Sequence, residues 1–180
     1  MKKITIKRIL AVLLTFCIAA MMSGCMTTTT TTTVTDELTV SEEAAEPDMS
    51  DYTDDYAGLV QYLKDCEVLV GEGSEMSADF IGAEEGAKFA FKYNSVTITC
   101  ELYYFDLENL NETGEQTLAQ LKEEGTFKSL NGDVEAKLSN SGKFMMIYTN
   151  NSEDDAQVSL KSRTEEKFMN FVGGRTPEGE

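Results

Sequence analysis

Between Ala87 and Phe105 the apolar residues alternate along two runs separated only by Asn94 and Ser95. Ala87, Phe89, Phe91 and Tyr93 occupy every second position, and beyond the break Val96, Ile98, Cys100, Leu102 and Tyr104 do the same. A period of two places each set on one side of a pleated strand, so the pattern predicts two antiparallel strands joined by a tight turn. Asn94-Ser95 lacks the glycine that most strongly marks such a turn. Few other folds suit this alternation.

The rest of the chain supplies what a hairpin needs. Tyr56, Leu59, Val60, Leu63 and Cys66 recur at helical spacing and predict an amphipathic helix over residues 54–67. Residues 71–86 read as a glycine-punctuated loop. Thr113 and Gln116 have capping-box spacing ahead of Leu118 and Leu121, with Gly125 placed to end that helix. Val134, Ala136 and Leu138 lead through Asn140-Ser141-Gly142 into a strand over 143–148, which predicts a second hairpin. Ser152 and Asp155 open a last helix carrying Ala156, Leu160, Phe168 and Val172. The expected fold is α+β, in the order α-β-β-α-β-β-α: a four-stranded antiparallel sheet with helices on one face.

The N-terminus speaks to location. Residues 1–8 hold four bases and no acid, and an apolar run follows from Ile9 to Met22. Those fourteen residues fall short of the roughly 20 a membrane-spanning helix needs, and they fit a secretory signal. Met22-Ser23-Gly24-Cys25 resembles the lipobox of bacterial lipoproteins, with Met where that family usually has Leu. The resemblance implies cleavage before Cys25, acylation of its thiol, and a protein held by lipid on the extracellular face of the cell membrane. Cys17 lies within the apolar run and would leave with the signal. Residues 101–127 and 138–151 are similar to small uncharacterised lipoproteins of low-GC Gram-positive bacteria, which implies the same location and a single domain but no functional residue.

The expected organisation is a signal over 1–24, a disordered stalk over 25–53, one domain over 54–174 and a tail over 175–180. The stalk expectation rests on a threonine run over 27–33 and an acidic stretch without a base, too polar to bury a core.

Composition then removes whole classes of chemistry. With 32 acids against 15 bases, the chain is a poor partner for nucleic acid. It has no His, so Ser-His and Cys-His nucleophiles and imidazole metal ligands are excluded. Gly71-Glu72-Gly73 lacks the remainder of a phosphate loop or dinucleotide fingerprint. No metal or cofactor is expected. Cys66 and Cys100, both on predicted core faces, are either a disulfide in an exported domain or two buried thiols.

One oddity remains. Tyr103 and Phe105 oppose Leu102 and Tyr104, and Met145 and Ile147 oppose Phe144, Met146 and Tyr148, so two strands are apolar on both sides. If helices cover one face only, Tyr103, Phe105, Met145 and Ile147 form an exposed patch near Lys88 and Lys92, suited to a partner or ligand. The other reading has the stalk, a loop or the last helix covering it. The sequence thus points to a non-catalytic, membrane-anchored module for an unknown protein or small-molecule ligand. The alternative is a small carboxylate-dependent enzyme acting on cell-wall or sugar material.

Overall fold

The computed structural model describes residues 34–41, 46–129 and 132–174. The expected signal segment, Cys25, the threonine run and the tail lie outside the described residues. Among the described residues there are three α-helices: α1 (Tyr56–Asp65), α2 (Glu112–Glu124) and α3 (Asp155–Asn170). The strands are β1 (Ser74–Glu75), β2 (Glu85–Tyr93), β3 (Val96–Tyr104), β4 (Thr126–Ser129), β5 (Gly132–Glu135), β6 (Lys137–Leu138) and β7 (Phe144–Asn150). Five of them form an antiparallel sheet in the order β1-β2-β3-β7-β6, and β4 pairs with β5 separately.

The α+β class therefore holds, while the four-stranded sheet does not. The expected loop over 71–86 contributes the edge strand β1, with Ser74 opposite Lys88. The second hairpin divides: Lys137 and Leu138 pair with β7, but Val134 and Glu135 belong to β5 and pair with β4. Two residues of β6 are too few to show a period of two, which is why the run 134–138 reads as one strand.

Local chemistry fixes the ends of these elements. Asn94 and Ser95 both take positive φ, 48° and 67°, and close β2 onto β3 with Tyr93 opposite Val96. The turn forms without a glycine because the long ladder that follows offsets its strain. Asp55 caps α1 by accepting from the Gly58 N–H at 2.8 Å. The cap of α2 is Asn111, which accepts from the Gly114 N–H at 2.9 Å, and not Thr113. Asp154, two residues past Ser152, caps α3 through the Gln157 N–H at 3.0 Å. Gly125 ends α2 at φ 67°, in open space where only conformation calls for glycine.

Helices cover both faces of the sheet, contrary to the one-face expectation. On one face, Leu59 and Leu63 of α1 and Leu160 and Phe168 of α3 pack on Phe89, Phe91, Ile98, Leu102, Phe144 and Met146. On the other, Leu118 and Leu121 of α2, with Phe127 of β4, pack on Tyr103, Phe105 and Met145. α2 reaches that face because the segment between β3 and β7 crosses beneath the sheet before β7 returns beside β3.

The expected stalk is also partly folded. The compact unit begins at Val34. Leu38 is only 6% exposed and joins the first core, and its N–H donates to the Lys92 carbonyl at 2.7 Å. Lys92 in turn donates to the Asp36 carbonyl at 2.8 Å, so residues 36–38 lie parallel to the end of β2. Ser41 donates to the Glu67 carboxylate through its N–H and its hydroxyl, and Lys167 pairs with Glu46. Met49 and Tyr52 pack on the same core, and Asp48 caps the short helical turn 49–51. Averaged polarity hides this because Glu46 and Asp48 find partners and Leu38, Met49 and Tyr52 supply the burial.

Candidate functional site

The sequence-derived patch is not a surface. Tyr103 is 1% exposed, and Phe105 and Met145 are fully buried beneath α2 and β4. Ile147 is half-buried at the margin of that core. Lys88 and Lys92 sit on the same face farther along, where Lys88 pairs with Glu101 at 3.3 Å. The reason for the correction is α2: it lies on the face expected to be bare. Among the described residues, the half of that face holding Thr97, Thr99 and Glu101 has no such lid.

A cleft opens where β5 and β7 part. Chain 132–138 runs beside β4 as β5 and then turns to β7 as β6. The ladder to β7 stops at Lys137 opposite Met146. Continued in register, Glu135 would meet Tyr148 and Asp133 would meet Asn150. Instead the strands diverge, and between them lies a cavity of about 610 Å³ bounded on a third side by α3. That volume is typical of ligand sites, roughly 300–1,000 Å³.

Hydrogen-bond parity decides what lines its walls. The Phe105 N–H donates to the Lys143 carbonyl at 2.8 Å, so in antiparallel alternation Met145, Ile147 and Thr149 turn their backbone groups to β3. Tyr148 and Asn150 therefore turn theirs outward, as Phe144 does in accepting from the Ser139 N–H at 2.9 Å. On the facing wall the Ala136 N–H donates to the Gly125 carbonyl at 3.1 Å, which directs Val134 to β4 and leaves Asp133 and Glu135 directed into the cleft. Two strand edges thus confront one another without a ladder between them.

Side chains add charge and apolar contact. Asp133, Glu135 and Glu153 line the cleft and have no ion-pair partner among the described residues. Its two lysines, Lys137 and Lys161, are both held by Glu165, at 3.7 and 3.8 Å. The cleft is acidic in balance. Val158 stands 51% exposed on its α3 wall. The Tyr148 hydroxyl is buried without a hydrogen-bond partner, and burial raises its pKa above the ordinary tyrosine value.

A second, smaller cavity of about 240 Å³ is lined by Tyr56, Glu75, Glu84 and Glu85 beside β1. Glu85 is exposed at the start of β2, and local desolvation with Glu84 and Asp55 nearby shifts its pKa upward from the ordinary glutamate value. Cys66 and Cys100 are free thiols in the first core, and burial pushes the pKa of each above the ordinary thiol value, which makes them poor nucleophiles. Among the described residues, no group of three Cys, Asp or Glu is placed to hold a metal ion, and no helix is long and apolar enough to cross a membrane. Sequence reading missed the cleft because its signal is a change of partner at Ala136, which alternation does not encode. No protein-family model matches the chain, and no curated protein or solved structure matches it.

Proposed function

We propose that the chain is a lipid-anchored module on the extracellular face of the cell membrane, non-catalytic, with its ligand site in the cleft between β5 and β7. The observation that carries the binding reading is that cleft, with its two open strand edges. Location rests on the basic start, the short apolar run and the lipobox-like Met22-Ser23-Gly24-Cys25. The test is a photo-crosslinking residue at position 158 of the full chain on intact cells, with position 80, another exposed site, as control. A partner crosslinked from 158 and not from 80 is expected; equal yields from both positions would overturn the cleft as the site. Cys25→Ala is expected to release the protein from the membrane fraction or leave an uncleaved precursor.

The carboxylate-enzyme reading has one observation behind it, Glu85 held above its ordinary pKa in the smaller cavity with Glu84. At about 240 Å³ that cavity is small for a sugar chain, so binding is the better-supported reading. Turnover of wall material by the purified protein, lost in Glu85→Gln, would reverse the preference.

A further inference from the structure

We infer that the occupant of the cleft is a basic, extended peptide segment of another protein, which enters as an extra strand between β5 and β7. This deepens the binding reading and rests on it. The argument begins with backbone chemistry. An unpaired strand edge presents alternating N–H and C=O groups that a further strand satisfies, which is the basis of recognition by strand addition. Here there are two such edges rather than one. Tyr148 and Asn150 direct their backbone groups into the cleft from β7, and Asp133 and Glu135 direct theirs from β5. The register that joins Lys137 to Met146 would set these residues opposite one another, so a single inserted strand lies beside both.

Charge selects the kind of strand. The cleft's lysines are already engaged by Glu165, while Asp133, Glu135 and Glu153 have no cation among the described residues. Asp133 and Glu135 lie two apart on β5, so their side chains share one side of that strand. An incoming strand with Lys or Arg at alternate positions matches that spacing, and its intervening apolar residues turn to the opposite side, toward the half-buried Val134 and Ile147. A second copy of this chain is the wrong occupant, since 32 acids against 15 bases make like-charge repulsion the rule between copies.

The test uses the full chain in detergent and a short synthetic peptide alternating Lys with Val. Two controls are a peptide alternating Glu with Val and the Lys peptide N-methylated at alternate residues. The Lys peptide is expected to bind, with slowed amide hydrogen exchange at Tyr148 and Asn150, and the affinity falls as salt is raised. Asp133→Lys with Glu135→Lys is expected to weaken binding by about tenfold or more. Both positions are exposed, so the variant's unchanged thermal midpoint serves as the folding check. N-methylation is expected to abolish binding, because it removes the N–H groups that face one of the two edges and sets methyl groups against that edge while keeping the peptide's charge.

Equal binding of the N-methylated peptide would overturn strand insertion, and equal binding of the Glu peptide would overturn the charge assignment. Concentration-dependent dimers that protect the same two amides would make a second copy the occupant and overturn the inference. If position 158 crosslinks a partner while the Lys peptide fails to bind, the strand inference falls and the binding module stands. If the peptide binds and the crosslink fails, the functional reading falls while the cleft remains a strand acceptor.

Discussion

The two faces of the five-stranded sheet begin from the same alternation and end differently. On the first, α1, α3 and the side chains of Leu38, Met49 and Tyr52 cover the sheet from Phe91 and Ile98 at one end to Phe144 at the other. On the second, α2 and β4 cover only the end holding Tyr103, Phe105 and Met145. Toward the other end that face carries Lys88, Lys92, Thr97 and Thr99, all at least partly exposed. Cover therefore follows side-chain polarity along a single strand, and β3 changes from apolar to polar on one side without a break. Beside this change the last edge strand leaves the sheet at Ala136, and the cleft is the space that departure leaves.

The largest effect should come from the covered end of the second face. Tyr103→Ser with Phe105→Ser removes two large side chains from a packed interior, at about 3–5 kcal/mol for each truncation. Since small domains hold only about 5–15 kcal/mol in total, the double variant is expected to unfold or lose its cooperative transition. A denaturant midpoint close to that of the unsubstituted protein would mean that α2 does not pack there, and the contrast between the faces would collapse.

Leu38→Ala probes the first face where the N-terminal segment reaches it. Leu38 is buried among the core residues of that face, and a buried Leu→Ala change costs about 2–5 kcal/mol. The low end is expected, because the segment joins the sheet through a single bridged residue, Glu37 opposite Lys92. Urea denaturation would measure it. No change would return residues 34–41 to the role of an unattached stalk.

These two sites also mark where sequence reading worked and where it stopped. The β2-β3 hairpin is readable because seven residues before the turn and nine after it repeat one pattern and the turn can take only a few forms. Gly125 was readable as a helix end because its left-handed backbone suits glycine. Tyr103 and Phe105 lie opposite Leu102 as the alternation indicates, and cover over them is one of its two readings, but α2 and β4 as that cover are not legible: alternation reports two apolar sides without saying what lies on either. Leu38 was missed because one apolar residue among acids has no period. The cleft depends on where β5 exchanges one partner for another, a long-range choice made by α2 and β4 that no local pattern carries.

A smaller effect should appear at the edge near β1. Glu85 has its folded pKa raised by local desolvation, with Glu84 and Asp55 adding to the shift. A carboxyl with a raised folded pKa binds its proton more tightly folded than unfolded. Its contribution is therefore full below the unfolded value, near 4.5, and is lost as pH rises through the higher folded value. Glu85→Gln removes a charge the fold disfavours, so its thermal midpoint at neutral pH is expected to exceed that of the parent. The gain should shrink as pH falls, once the parent's Glu85 is itself protonated. A gain that persists unchanged at low pH would assign the effect to something other than this ionisation.

The smallest effect belongs to the uncovered end of the second face. Lys88 meets Glu101 across the β2-β3 ladder at 3.3 Å, with the lysine side chain 45% exposed. Glu101 also accepts from the Tyr103 hydroxyl at 3.2 Å, so it stands at the boundary between the covered and uncovered halves. An ion pair that water reaches gains little, because solvent screens the attraction and two long side chains must be held still. A double-mutant cycle of Lys88→Ala and Glu101→Ala is expected to give a coupling of about 0.2–1 kcal/mol, declining in high salt. Glu101→Ala alone should cost more than Lys88→Ala alone, since it also leaves the Tyr103 hydroxyl without its carboxylate partner at the rim of the second core. A coupling above about 2 kcal/mol that is insensitive to salt would place the pair away from water, and both halves of that face would then be covered.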